Sequence, residues 1–271
     1  MATFVRPAHP WPTEALWQAL QAEWPGITVE VAAELDSTNE TLLTRARAGD
    51  RTACLLVAEH QRQGRGRQGR RWISAPGDSL TFSVGVPYAP RQWAGLSLAV
   101  GVAVAEALAP EVQIKWPNDL WCVGRDPAGE GRKLGGILIE TVGTAPATRQ
   151  AVVGIGLNVR SPDPGPAGWP DPRNRPAGLE ALLPGIDAAE VLRRVAPAVV
   201  RALREFEREG FPVFRARFEA RDLLRGHTVQ TTEPEAPEGV ALGVDDEGAL
   251  LVHTAAGVRT VAVGEVSVRP C

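Results

Sequence analysis

The residues best suited to binding or catalysis form an arginine- and glycine-rich run from Arg62 to Arg71. Five of these ten residues are arginine and three are glycine. Guanidinium groups bind phosphate or carboxylate through paired hydrogen bonds, and glycines let the backbone approach an anion closely. The run therefore predicts a site for a small anion. A solvated basic loop and a nucleic-acid-binding patch are the alternatives that the residues leave open.

The segment Gly64–Gly69 also matches the spacing G-x-G-x-x-G, which is typical of dinucleotide-binding sites. Such a site needs a helix directly after the glycines, with its N-terminus facing the pyrophosphate. Here Arg71–Gly77 contains no helix start, and Leu80 opens another strand. We therefore interpret the run as a loop between two strands.

Three consecutive polar residues, Ser37, Thr38 and Asn39, precede an apolar helical pattern. Ser37 and Glu40 have the spacing of a capping box, which stabilises a helix by about 1 kcal/mol. The same side chains can also bind a polar group of a ligand at the helix N-terminus. The two interpretations are compatible.

Two further motifs lie at predicted strand ends. Lys115–Asp119 reads Lys-Trp-Pro-Asn-Asp. It is either an ordinary turn or a segment that holds the Asp119 carboxylate rigidly at the end of a strand. Lys133–Gly136 ends in two adjacent glycines, and Gly154–Asn158 again places glycines in a strand. Because glycine weakens a strand, these positions indicate a ligand that passes close to the backbone.

Composition limits the class of protein. The chain has 271 residues, 44% hydrophobic and 23% charged, with a formal net charge of −3. This is ordinary globular composition, and it disfavours a polyanion-binding surface over the whole molecule. The three cysteines are widely spaced and the four histidines are scattered, so neither a disulfide framework nor a zinc site is expected. We predict no signal peptide and no membrane span.

The elements that must position these motifs alternate between helix and strand as far as Leu224, and short strands alone follow Gly226. We therefore predict an α/β domain over residues 1–225 and a small five-stranded barrel over residues 226–271. Predicted helices are Thr13–Trp24, a helix opened by Asp36–Asn39, Gln92–Leu108, Ala188–Glu207 and Phe211–Leu224. Predicted strands are Ile27–Val31, Ala53–Ala58, Leu80–Val86, Val112–Trp116, Leu120–Val123, Lys133–Val142, Ala151–Val159, His227–Thr232, Gly239–Val244, Leu250–Thr254 and Val258–Val263. Ser161–Gly178 is predicted to be a proline-rich loop.

The motifs taken together, and in this order, resemble the biotin protein ligase family. The segments that carry the resemblance are Asp36–Asn39, Gln61–Trp72, Lys115–Asp119, Lys133–Ile137 and Gly154–Asn158. The resemblance covers roughly Ile27 to Cys271. It implies a catalytic α/β domain with a mixed sheet and flanking helices, related to class II aminoacyl-tRNA synthetases, followed by an SH3-like β-barrel.

The resemblance also implies a reaction and its residues. Biotin and ATP form biotinyl-5′-AMP with Mg²⁺ present, and a lysine of a biotin carrier domain then takes the biotin. The implied catalytic residues are Lys133, Asp119 and Arg67, with no metal site built by the protein. The implied biotin-binding residues are Ser37, Thr38, Asn39, Gln61, Gly64, Arg65, Gly66, Arg67, Lys133 and Gly136. The implied ATP and adenylate residues are Arg65, Arg67, Arg70, Trp72, Lys133, Asn158 and Trp169.

Partners follow from the same resemblance. We expect a carrier domain of acetyl-CoA carboxylase as the protein substrate, a cytoplasmic location and a monomer or homodimer. About 26 residues precede the matching region, too few for the DNA-binding domain of some relatives, so no repressor activity is expected. A lipoate-type protein ligase is the alternative within the same fold.

Overall fold

The computed structural model describes residues 11–123, 131–143, 145, 149–163, 176–262 and 269–270. In chain order the elements are α1 (Thr13–Glu23), β1 (Thr28–Leu35), α2 (Thr38–Arg47), β2 (Cys54–Gln61), β3 (Ser79–Pro87), α3 (Leu96–Leu108), β4 (Val112–Lys115), β5 (Asp119–Cys122), β6 (Arg132–Val142), β7 (Gln150–Asn158), α4 (Ala188–Glu209), α5 (Pro212–Glu219), β8 (Thr228–Gln230), β9 (Glu238–Val244), β10 (Leu250–Thr254), β11 (Gly257–Val261) and β12 (Arg269–Pro270).

The first seven strands form one sheet in the order β1-β2-β3-β7-β6-β5-β4. Strands β1 and β2 are parallel and the other neighbouring pairs are antiparallel, so the predicted mixed sheet is confirmed. Strand β4 is an edge of this sheet, and its side that faces away from β5 is also hydrogen-bonded. Ile114 donates its N–H to the Arg221 carbonyl and its own carbonyl accepts the N–H of Leu223, so the segment after α5 protects this edge.

The two faces of the sheet bury very different side chains, because successive residues of a strand point to opposite sides. On one face, large residues such as Val57, Phe82 and Val153 join the main core with the helices α1, α3 and α4. On the other face, Leu56 and Val152 form a smaller core with α2. The site described below lies beside this smaller core.

Two helices begin or end elsewhere than predicted, for local reasons. Helix α3 begins at Leu96 rather than Gln92, because Gly95 before it has a φ of +80° and packs against Phe211. A Cβ at Gly95 would lie 2.5 Å from the Phe211 ring. Helix α5 ends at Glu219 rather than Leu224, since the residues that follow pair with β4.

The last five strands form a second, antiparallel sheet in the order β11-β10-β9-β8-β12. A five-stranded module was predicted here with four of its strands placed, and five strands are present in the described part of the chain. Strands β11 and β12 are the two edges, so the described strands do not close into the expected barrel. The division into residues 1–225 and 226–271 stays a prediction.

One of the contacts between the second sheet and the rest of the protein is a buried turn. The indole N–H of Trp116 donates to the Gly248 carbonyl over 3.0 Å, and Gly248 packs against Gly95 at the start of α3. Trp116 is 1% exposed. The turn between β9 and β10 therefore supports the segment that joins β4 to β5.

Within the described residues, no helix combines the length and the apolar character needed to cross a membrane. The proline-rich loop predicted at Ser161–Gly178 lies mostly outside the described residues, as do residues 124–130 of the loop between β5 and β6.

Asp222, in the segment that covers β4, predicts a pH effect on stability. Its Oδ1 accepts the Leu224 N–H over 2.9 Å, while Oδ2 is buried with no hydrogen-bond partner among the described residues. Burial raises the pKa of Asp222 from 3.8 to about 6. Because the folded pKa lies above the unfolded one, this group's contribution to stability falls as the pH rises from about 4 to 6.

Replacing Asp222 with Asn should remove that dependence. Between pH 5 and pH 7 the wild type should lose about 1 kcal/mol of unfolding free energy through this group, and the variant should not. Urea unfolding at the two pH values measures the difference. An Asp222→Asn chain with the wild-type pH dependence would show that Asp222 is not the titrating group.

Candidate active site

A cavity of about 350 Å³ lies on the face of the sheet that carries α2. Its walls are the N-terminus of α2, the arginine–glycine loop after β2, and the ends of β5, β6 and β7. The predicted site residues on these walls are Ser37, Thr38, Asn39, Gln61, Arg65, Gly66, Arg67, Arg70, Trp72, Asp119, Lys133, Gly136 and Asn158. The structure therefore brings together residues that are 121 positions apart in the chain.

Two predicted residues are not on the wall that the structure describes. Trp169 lies outside the described residues. Gly64 lies behind the wall, where its carbonyl accepts the Trp72 N–H over 2.8 Å. A Cβ at Gly64 would come within 2.6 Å of the Trp72 carbonyl oxygen, so this glycine allows the two ends of the loop to pair.

A row of residues lies in register across the sheet, and its last three members, Gly156, Gly136 and Asp119, are on the cavity wall. Ala58 pairs with Thr81, Thr81 with Gly156, and Gly156 with Gly136, which pairs in turn with Asp119. Directly paired residues of an antiparallel sheet point to the same face. The row therefore opens space above the sheet and ends at the carboxylate of Asp119.

The glycines of β7 make room for protein side chains. A Cβ at Gly156 would lie 2.6 Å from the Trp72 indole, and a Cβ at Gly154 would overlap the Asn39 amide oxygen. The sequence suggested that a ligand approaches these glycines, and the structure places Asn39 and Trp72 there. These two side chains in turn line the cavity. Trp72 Nε1 is buried with no hydrogen-bond partner in the described part of the chain.

The N-terminus of α2 has the cap that its sequence suggested, while ligand binding by the same residues stays a prediction. Ser37 caps the helix by accepting the Glu40 N–H over 3.4 Å. The Glu40 carboxylate, however, pairs with Arg47 at 3.1 Å and Arg65 at 3.0 Å instead of completing the capping box. Ser37, Thr38 and Asn39 also form part of the cavity wall.

Ser83, on β3, connects the polar residues of this wall and was not singled out in the sequence. Its hydroxyl oxygen lies 2.7 Å from Thr38 Oγ1 and 2.6 Å from Asn39 Oδ1. The backbone N–H of Thr38 donates to Gln61 Oε1 over 2.7 Å. Thr81, Ser83 and Gly85 alternate with large apolar residues along β3, and that alternation was the available signal.

Charged groups meet at the other end of the cavity. Lys133 Nζ lies 2.7 Å from Asp119 Oδ1. The Arg67 guanidinium donates to Asn118 Oδ1 over 3.1 Å. Burial lowers the pKa of Arg67 below its usual range, and the nearby Asp119 charge opposes that shift. Two cations and one carboxylate therefore share a partly buried space, where electrostatic interactions are stronger than in water.

The segment Lys115–Asp119 is held rigidly. The Asn118 amide donates to the Ile137 carbonyl over 2.8 Å, and Lys115 Nζ lies 4.5 Å from the centre of the Trp121 ring. Asn118, which contacts Arg67, was not among the residues predicted from the sequence, although its neighbour Asp119 was. The segment thus forms a turn and also holds Asn118 beside Arg67.

The outer arginines of the loop are paired with acidic side chains. Arg62 lies 2.9 Å from Asp36 and 3.4 Å from Glu34, and Arg65 pairs with Glu40. These pairs reduce the net positive charge that the loop presents to solvent. They weigh against the nucleic-acid-binding patch, which requires uncompensated positive charge.

Comparisons with known proteins match the chain and its fold. The biotin/lipoate A/B protein ligase family matches residues 31–158, and the biotin protein ligase C terminal domain matches residues 228–269. The biotin–[acetyl-CoA-carboxylase] ligase of Mycobacterium tuberculosis is 34% identical over 257 residues, covering 88% of this chain and 88% of the relative. The bifunctional ligase/repressor BirA of Escherichia coli is 33% identical over 258 residues, covering 90% of this chain and 75% of the relative.

A solved structure agrees with these relatives. The biotin protein ligase from Aquifex aeolicus in complex with biotin and ATP has a TM-score of 0.71 and 27% identity. The match covers 92% of this chain and all 100% of that chain. The chain belongs to the biotin protein ligase family. The predicted fold class and the resemblance noted in the sequence are thereby confirmed, while the role of each site residue stays a prediction.

The packing of Asn39 against β7 gives a testable expectation. Gly154→Ala should displace the Asn39 amide and weaken binding of the polar ligand group at least about tenfold, because one to two hydrogen bonds to the site are lost. Gly101→Ala is the matched control, since a Cβ there meets Ile114 at an ordinary 3.5 Å. Calorimetric titration with biotin compares the two variants. Equal affinities would show that Gly154 does not position Asn39.

Proposed function

We propose that this chain attaches biotin to a lysine of a carrier domain in two steps that share one cavity. The observation that carries the proposal is the separation of polar from charged groups along that cavity. One end has neutral donors and acceptors around Thr38, and the other has the charges of Arg67, Lys133 and Asp119. Biotin has the same order, with a ureido ring, an apolar body and a carboxylate.

The neutral end suits the ureido ring. Ser37, Thr38, Asn39 and Gln61 are each at most 8% exposed, and they form a hydrogen-bonded group around the helix N-terminus. A buried polar wall favours a ligand that completes its hydrogen bonds and disfavours an apolar one. The backbone of Arg65 and Gly66 and the open floor at Gly136 would complete this pocket, and Trp72 would cover the thioether body.

The charged end suits the first step. A carboxylate oxygen of biotin would attack the α-phosphorus of ATP, the bond to the bridging oxygen would break, and pyrophosphate would leave. Negative charge grows on the phosphate in this transition state, and fixed cations stabilise it there. Arg65, Arg67 and Lys133 would lie along the carboxyl–phosphate junction, with Arg70 toward the departing phosphates.

Magnesium that enters with ATP fits the carboxylates of this cavity. Mg²⁺ bound with a nucleotide commonly uses one or two protein carboxylates together with phosphate oxygens. Asp119 and Asp163 are the carboxylates on the cavity wall, and no group of three or more acidic, histidine or cysteine side chains suited to a metal occurs in the described ranges. Bound there, the ion would neutralise phosphate charge.

The second step needs a proton acceptor near the mixed anhydride. The carrier lysine would attack the biotinyl carbonyl carbon as a neutral amine, and AMP would leave. Asp119 would orient this amine and accept its proton, while Lys133 at 2.7 Å holds the carboxylate in place. Asn158, Trp72 and Trp169 would contact the adenine. The carrier is proposed to be a domain of acetyl-CoA carboxylase, and the reaction is proposed to occur in the cytoplasm.

The test is labelling of a biotin carrier domain by the full chain with biotin, ATP and Mg²⁺, measured by intact mass. The expected product carries one biotin on one lysine and requires ATP. Lipoate replaces biotin in a parallel reaction. Lipoyl transfer without biotinyl transfer would overturn the proposal in favour of the lipoate-type ligase.

Lys133→Met should slow adenylate formation by roughly 10²-fold, since one fixed charge on the transition state is removed. Biotin affinity should change less than about threefold, because the ureido pocket is intact. Pyrophosphate release and biotin titration measure the two effects. Arg132→Met, at the neighbouring exposed position, is the control. Equal losses in rate and affinity would assign Lys133 a binding role alone.

Arg67→Ala should release biotinyl-5′-AMP faster by about tenfold or more, because a charged hydrogen bond is worth about 1.5–3 kcal/mol. The freed adenylate acylates any amine, so lysines other than the carrier lysine should be labelled. Arg62→Ala is the control, since this arginine pairs with Asp36 away from the cavity. Mass mapping of labelled lysines after reaction with a mixed protein sample shows whether lysines other than the carrier lysine are labelled. A variant that still labels the carrier alone contradicts the assigned role.

A further inference from the structure

We infer that Ser83 is a positioning residue for biotin recognition, acting as the link in a hydrogen-bond chain from Glu140 through Asn39 to Thr38. The inference rests on the proposed function. The chain fixes the direction of each proton, so that Thr38 Oγ1 faces the ligand as an acceptor and Gln61 Nε2 faces it as a donor.

The direction is set at Asn39. Its Nδ2 lies 2.9 Å from Glu140 Oε2 and 3.2 Å from the Leu138 carbonyl. Both partners only accept hydrogen bonds, so the amide nitrogen must be on their side. Asn39 Oδ1 therefore points the other way, toward Ser83, and can only accept.

Ser83 transmits this constraint. Its hydroxyl has one proton, and Asn39 Oδ1 at 2.6 Å can act only as an acceptor, so Ser83 donates to Asn39. Thr38 has one hydroxyl proton and two oxygen neighbours, Ser83 Oγ at 2.7 Å and Gln61 Oε1 at 3.1 Å. Because Gln61 Oε1 already accepts the Thr38 backbone N–H, we assign the proton to the shorter contact, so Thr38 donates to Ser83. Ser83 is 0% exposed, so water cannot substitute for either partner.

These proton directions determine which donor and acceptor groups face the ligand. With its proton on Ser83, Thr38 Oγ1 has lone pairs left to accept from a ligand N–H. Gln61 Oε1 accepts the Thr38 backbone N–H at 2.7 Å, which turns Gln61 Nε2 away from that contact. A ureido group offers a ring N–H and a carbonyl oxygen, which match an acceptor and a donor in this arrangement. The opposite proton directions would place two donors or two acceptors face to face.

Ser83→Ala is the first test. Thr38 then loses its acceptor, and its proton can turn to Gln61 Oε1 at 3.1 Å or into the cavity. We expect the Kd and KM for biotin to rise about tenfold, while KM for ATP and kcat at saturating biotin change less than about twofold. Thr81→Val is the matched control. It removes another buried hydroxyl from the same face of β3, one that donates to the Ala58 carbonyl outside the network.

Asn39→Asp with and without Glu140→Gln is the second test. The single substitution would set a new carboxylate against the Glu140 carboxylate and the Leu138 carbonyl, so biotin affinity should fall further than in Ser83→Ala. In the double variant the amide at position 140 can donate to the carboxylate at position 39, which still accepts from Ser83. We expect the double variant to recover at least about fivefold of the lost affinity, with thermal unfolding recorded for every variant.

The outcomes separate the two proposals. A wild-type chain that binds no biotin overturns the proposed function and the inference together. Normal wild-type binding with unchanged affinity in Ser83→Ala, or equal losses in Ser83→Ala and Thr81→Val, overturns the inference alone. A double variant no better than Asn39→Asp likewise contradicts a role for proton direction.

Discussion

The structure depends on the lack of side-chain volume along one face of its main sheet. Gly156 leaves room for the Trp72 indole and Gly136 opens onto the cavity, while the reverse face of the same strands is packed with large apolar residues. Helix α2 and the arginine–glycine loop can therefore approach the open face and enclose a cavity. The main core and the site are thus built by the two alternating faces of the same strands.

The charged end of the cavity depends on packing as well as on charge. Asp119 ends the row of small residues, and the segment before it is fixed by Trp116 against Gly248 and by Lys115 against the Trp121 ring. A charge stabilises a transition state only if it is already in place, because moving it during the reaction costs energy. The contact with the second sheet therefore helps to fix the charged end of the cavity, although no described residue of that sheet is on the cavity wall.

The sequence was most informative where local chemistry decides the structure. Apolar alternation predicted the strands, and the position of Ser37 predicted the cap of α2. The motifs and their order indicated the family, and their segments contain most of the residues on the cavity wall. It was least informative where distant elements meet. Ser83 becomes important only because β3 lies under α2, and Asn118 because Arg67 reaches across from another loop. Helix α5 ends early because its continuation pairs with β4, and no pattern within the helix reveals that competition.

A glycine's position in a strand does not reveal whether a ligand or a protein side chain packs against it. A glycine in a strand signals that something comes close, and the sequence suggested a ligand. At Gly154 and Gly156 the neighbours are Asn39 and Trp72, so these glycines act on a ligand through the two side chains that they admit. Asn39 is then held from three sides, by the strand below it, by the acceptors beyond it and by Ser83 beside it. A side chain held in this way has one amide orientation, and that orientation passes along the hydrogen bonds to Thr38. The selectivity of the neutral end therefore arises in the sheet beneath the cavity as much as in the residues that line it.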